Sequence, residues 1–245
     1  MKHLFFRIVL ILSLLVSTAQ AQTNFMLYML GCDLEENSAA GSRDVLELLR
    51  AERSEVEEIN IYVLTGGAHR WSLAEAQDES VTVMRFEENR INVLHALQGG
   101  ACSRAEDVSR FLQLCAEQSP AEENIFILWG HGVPEENAIG FDALQNDDLL
   151  TIAELKEGIL HSGMTIDILG IDACGMGTEE IASALQDTCH RLLAVSGDTP
   201  LSGWPYHRIP ALLTGDAESD YDALYCTVDD FLQRDGTGVK LLNLF

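Results

Sequence analysis

Two rhythms alternate along the chain: short, almost continuously apolar runs, and longer stretches whose apolar residues recur every three or four positions. The first is the pattern of a strand buried on both faces, the second that of a helix with one face inward. Strands are predicted over 25–30, 60–64, 124–129, 166–171 and 192–195. Helices are predicted over 42–53 (Ser42 as cap; Val45, Leu48 and Leu49 on one face), over 103–117 (opened by Ser103; Val108, Phe111, Leu112 and Cys115 inward), and over 151–160, where Thr151 and Glu154 form a capping box. A further helix follows Thr178, with Ile181, Ala184 and Leu185 inward. Trp71 and the run 81–86 predict a short hairpin on the sheet edge. Strands and helices in alternation specify an α/β fold, a parallel sheet covered on both faces with right-handed crossovers.

The amino terminus breaks this rhythm. Lys2, His3 and Arg7 surround the start of an apolar run over 4–16, followed by small residues up to Ala21. These are the parts of a secretory signal peptide cut after Ala21, too short for a membrane span. Leu30-Gly31-Cys32 mimics a lipobox but lies beyond polar residues 22–24, inside a predicted strand end. The expectation is a leader over 1–21, one domain over 22–245, and a secreted or periplasmic protein that leaves the membrane once the leader is removed. With 39 acidic and 15 basic residues the net charge is -24, which repels nucleic acid and anionic lipid. Six cysteines, at 32, 102, 115, 174, 189 and 226, show neither CxxC nor zinc-site spacing. No metal is expected from that pattern, nor a disulfide framework.

In an open parallel sheet, ligands sit at the carboxyl ends of the strands. Two predicted strand ends carry reactive groups: Gly130-His131-Gly132, and Asp172-Ala173-Cys174-Gly175. Glycines there permit tight turns and close substrate approach. Cys174 is expected just before a helix amino terminus, where the dipole favours a thiolate. His131 is then the base that takes the thiol proton and returns it to a leaving amine. Backbone N–H groups near Gly132 and Cys174 are the candidate oxyanion hole. A Gly-x-Ser-x-Gly elbow is absent from the sequence, which argues against a serine hydrolase.

The blocks Leu128-Trp129-Gly130-His131-Gly132, Gly170 to Glu180 around Asp172-Ala173-Cys174-Gly175-Met176, and Ser202-Gly203-Trp204-Pro205-Tyr206 resemble those of the clostripain-like cysteine peptidases. Tyr28 to Gly31 followed by Asp33-Leu34-Glu35 resembles that family's first strand and loop. The resemblance implies a caspase-like three-layer α/β/α sandwich with a mostly parallel sheet, and a Cys–His dyad cleaving peptide bonds after Arg or Lys. It also implies Asp172 at the floor of the basic-residue pocket and Trp204 as a pocket wall. Asp198 is an additional negative charge near that strand end. Where relatives carry a second pocket acid after the tryptophan, this chain has Pro205-Tyr206-His207. Relatives are usually longer, so the domain reads as shortened at its carboxyl end. Some need calcium, which the acidic surface here permits, although no EF-hand spacing occurs. The partner is thus a peptide or protein substrate, with no cofactor expected and the oligomeric state open. The alternative is a non-catalytic homologue that binds peptides through the same crevice.

Overall fold

The computed structural model describes residues 23–52, 59–87, 90–234 and 241–243. The expected leader, residues 1–21, lies outside them. Eleven strands occur among the described residues: β1 Thr23–Leu30, β2 Ile59–Gly66, β3 Ser80–Glu87, β4 Arg90–Gln98, β5 Glu123–Trp129, β6 Gly132–Val133, β7 Ala138–Asp142, β8 Asp148–Thr151, β9 Ile166–Asp172, β10 Cys189–Val195 and β11 Leu241–Asn243. The helices are α1 Cys32–Ser38, α2 Ala40–Arg50, α3 Ala105–Gln118, α4 Ile152–Ser162, α5 Glu179–Leu185 and α6 Ala217–Arg234.

Eight strands form one sheet in the order β11-β10-β9-β5-β1-β2-β3-β4. The central five are parallel: β1 lies between β2 and β5, β5 pairs with β9, and β9 with β10. The predicted run 81–86 falls in β3, and its antiparallel hairpin partner at one edge of the sheet is β4, not the segment around Trp71, which lies in a loop. β11 runs antiparallel beside β10 at the other.

Every residue of β1 is buried, because apolar layers cover the sheet on both sides. Phe25, Leu27 and Met29 face one core with Val45 and Leu48 of α2 and Leu224, Val228 and Leu232 of α6. Met26, Tyr28 and Leu30 face the other, with residues of α3, α4 and α5 such as Phe111, Leu155 and Ile181. This is the three-layer α/β/α arrangement that the resemblance implied. No described helix is long and apolar enough to cross a membrane.

Several local expectations change. α2 starts at Ala40, so Ser42 is not its cap; its N–H and hydroxyl both donate to buried Glu35, at 2.8 and 2.6 Å. α3 starts at Ala105, and the Ser103 hydroxyl donates to Asp148 at 2.9 Å instead. The Thr151–Glu154 capping box forms, and Thr178 accepts the Ile181 N–H at 3.2 Å at the head of α5. The stretch between His131 and α4 reads as a polar loop, but it is a second small sheet, β6-β7-β8. A register shift at Gly140, a glycine with φ of 63°, interrupts the alternation there. All six cysteines are free thiols, and Cys115 is buried in the core as expected.

Candidate active site

β5 and β9 are neighbours in parallel register, with Trp129 directly opposite Asp172. His131 lies two residues past Trp129, and Cys174 two past Asp172, so equal steps from one rung carry both reactive residues beyond the sheet's carboxyl edge. The loops are pressed together at Gly132: a Cβ there would run into the carbonyl group of Cys174. Glycine is therefore required at this close approach. His131 and Cys174 line one cavity of about 150 Å³, with Trp129, Gly130, Asp172, Leu34, Thr199, Pro200, Leu201 and Gly203. A larger cavity of about 440 Å³, lined by Asn24, Ser119, Asn124 and Asp167 among others, sits at the opposite, amino ends of the strands. It holds neither a thiol nor an imidazole, so its size does not make it the reactive site.

Sequence reasoning missed two residues that contact the reactive pair. The Asp33 carboxylate lies 2.7 Å from His131 Nε2, just past the end of β1, which pairs with β5. Beyond β10, the Thr199 N–H donates to Cys174 Sγ at 3.2 Å. Four adjacent parallel strands thus each send one residue to the site: Asp33, His131, Cys174 and Thr199. The His131 ring stacks on Phe141, with centroids 5.8 Å apart and planes 6° from parallel. Asp33 belonged to the block of residues that carried the family resemblance, which was the available signal. Thr199 had none, since its role is played by its backbone.

Asp172 is buried at the cavity floor. Its Oδ2 accepts the Trp204 N–H at 3.0 Å and the Tyr206 hydroxyl at 2.9 Å. Burial nevertheless pushes its carboxyl up to about 7, against the lowering effect of those two donors. A second acid stands close by. Asp44 on α2 is also buried, and its Oδ2 accepts the Trp129 indole N–H at 2.7 Å. Burial first, and repulsion by Asp172 second, push Asp44 up to about 9.

Three expectations shift. Trp204 is fully buried and packs over Gly170, so it supports the floor through its N–H, while Trp129 lines the cavity. Asp198 is exposed and is not among the cavity-lining residues. α5 begins at Glu179, five residues past Cys174, because Gly175 at φ 68° turns the chain into a loop first. The sulfur therefore lies beyond the reach of a helix dipole, which fades within the first turn.

The profile of the clostripain family matches residues 27–234. The chain belongs to the clostripain family. No curated protein matches it. Solved structures that it resembles include a secreted C11 cysteine protease from Bacteroides thetaiotaomicron in complex with an irreversible peptide inhibitor. That likeness has 15% identity and a TM-score of 0.73, covering 91% of this chain and 66% of the other. A secreted protease of the same organism, iotapain, gives 18% identity and a TM-score of 0.64 over 84% of this chain and 62% of that one. An inactive zymogen C11 protease from Parabacteroides distasonis gives 19% and 0.67, covering 88% and 60%. This clostripain-family chain thus spans no more than about two thirds of these neighbours' length. The likeness bears on the fold, and the matched segment of the family profile contains Asp33, His131, Asp172 and Cys174.

Proposed function

We propose that this clostripain-family protein is an exported cysteine endopeptidase that cuts after Arg or Lys. The observation that carries this reading is the shared cavity: an imidazole and a thiol line it from adjacent strand ends, over a floor made by a buried carboxyl group. His131 takes the Cys174 proton, and the sulfur attacks the scissile carbonyl carbon. The resulting oxyanion is held by backbone N–H groups near Gly132 and Cys174. Collapse of the tetrahedral intermediate breaks the C–N bond, and His131 passes its proton to the departing amine. Water, deprotonated by His131, then hydrolyses the thioester and restores the thiol. Asp33 holds the imidazole in orientation through its 2.7 Å contact, the role of a third group behind a nucleophile–base pair. The Thr199 N–H fits a negatively charged sulfur. Asp172 receives the guanidinium or ammonium of the residue before the cut.

Export rests on the leader-like residues 1–21, and the neighbours described as secreted accord with it. The test is hydrolysis of fluorogenic peptides ending in Arg, Lys, Asp or Ala, with Cys174→Ala as control. Cleavage after Arg or Lys that Cys174→Ala abolishes is the expected result. Folded protein with a free Cys174 thiol that cuts none of them sinks the reading and leaves a peptide-binding homologue.

A further inference from the structure

Two carboxyl groups converge on one place. A Cβ built on Gly203 would lie 2.9 Å from Asp44 Oδ2, 3.1 Å from Asp172 Oδ2 and 3.5 Å from the Trp129 indole nitrogen. Gly203, Trp129 and Asp172 all line the cavity. Asp44 and Asp172 are only 3% exposed each, and among the described residues neither forms a salt bridge, although the Arg43 charge next to Asp44 acts weakly to lower its carboxyl. Buried acids of one sign without a cation are costly, and a ligand that supplies the cation relieves that cost. We infer that Asp44, reaching in from α2, is the second acid of the substrate pocket and shares with Asp172 the recognition of a guanidinium. It takes the place left open by Pro205-Tyr206-His207, and the inference rests on the specificity reading above.

The groups facing the pair are Glu47 and Arg43 on α2, and Tyr206, whose hydroxyl donates to Asp172. Both donors to Asp172 and the one to Asp44 use Oδ2. Without a ligand, burial keeps a proton on Asp44 near neutral pH and leaves Asp172 only partly ionised. A guanidinium favours the ionised pair, so binding an Arg peptide releases protons to solvent.

The test compares peptides with Arg or its neutral isostere citrulline before the cut, using wild type and Asp44→Asn. Asp44→Asn is expected to lower kcat/KM for Arg by about tenfold to a hundredfold, chiefly through KM, as befits loss of one charge-assisted contact. Citrulline cleavage should change far less. Calorimetry of an Arg-ended inhibitor at neutral pH, in buffers of different ionisation enthalpy, should show proton release by wild type and less by Asp44→Asn. An unchanged Arg-to-citrulline ratio, or no proton release by wild type, overturns the role of Asp44 while the peptidase reading stands. Cleavage after neutral residues alone overturns the basic specificity itself, and Asp44's part with it.

A different cluster flanks His131 on its other side. One ligand atom each from Cys32, Asp33 and His131 lies within 4.8 Å of the other two. Cys32 is a buried non-glycine residue at φ 37°. Its thiol donates to the Leu30 carbonyl at 3.1 Å, and burial pushes it up to about 12 against the lowering effect of the Phe141, Leu34 and His131 backbone N–H groups, so a metal has to displace that proton. Thiolate, carboxylate and imidazole are ligand types that suit Zn²⁺. The geometry points to a zinc site at Cys32, Asp33 and His131 that captures the imidazole needed for catalysis and so inhibits reversibly; the Cys32 proton leaves to solvent as the metal binds.

Titration with Co²⁺ should give one equivalent with thiolate-to-metal charge-transfer absorption, retained by Cys174→Ala and lost in Cys32→Ser. Zinc should inhibit wild type, and Cys32→Ser should raise the inhibitory concentration by about tenfold or more. No thiolate band in wild type overturns the site. So does a band that survives Cys32→Ser or disappears in Cys174→Ala, since the metal would then bridge the catalytic pair.

Discussion

Replacing Asp44 by Asn should stabilise this protein, and by more at high pH than at low. The folded state holds the Asp44 carboxyl up to about 9, against 3.8 for the ordinary group, mainly because the side chain is buried beside Asp172. Between those values the folded chain binds more protons than the unfolded one. Wild-type stability therefore falls as pH rises through that window. Near pH 7.5, at about 1.4 kcal/mol per unit, the ceiling on the loss is about 5 kcal/mol, and relaxation around buried charges leaves about half of it. Near pH 4.5 the same reasoning leaves at most about 1 kcal/mol. Asn keeps an oxygen to accept the Trp129 N–H, now at 2.7 Å, and its amide can donate toward Asp172. Urea denaturation at pH 5 and pH 8 measures the difference. A gain at pH 8 well above that at pH 5 is expected. Equal gains, or a loss at pH 8, would refute the claim that an uncompensated acid is buried there. The same substitution should weaken cleavage after Arg, so stability and specificity are opposed at one atom pair.

Gly132→Ala places a methyl against the Cys174 carbonyl. The strain should be about 1–3 kcal/mol, and labelling of Cys174 by a peptidyl-Arg electrophile should slow by about tenfold or more as the two loops separate; normal labelling at native circular dichroism would show that the loops need no contact. Glu35→Ala strands the Ser42 N–H, the Ser42 hydroxyl and the Ser72 N–H, now bonded at 2.8, 2.6 and 2.7 Å. A loss of about 3–5 kcal/mol is expected, with Glu35→Gln recovering part of it; a thermal midpoint close to wild type would contradict it. Asp33→Ala should cut kcat by about tenfold to a hundredfold with KM unchanged; a change confined to KM would make Asp33 a binding residue.

The central strands were legible because burial on both faces leaves an unbroken apolar run, as at Phe25 to Leu30. β4 was harder, being a half-exposed edge strand with mixed burial. The small sheet after His131 was missed because its strands are short and one is broken at Gly140. Asp44 hid on a helix read only for its apolar face. Its four-residue spacing from Leu48 places a carboxylate on the buried side of α2.

Hydrophobic period and local turn chemistry determined the α/β class, the central strands and the two glycine-flanked positions, His131 and Cys174, because those signals are local. Strand order, the Trp129–Asp172 rung and the meeting of Asp33, Thr199, Asp44 and Asp172 around the cavity were decided by tertiary structure alone. They join residues far apart in the chain through backbone pairing and shared burial, and a carboxyl group acquires its charge state only from the neighbours that folding supplies.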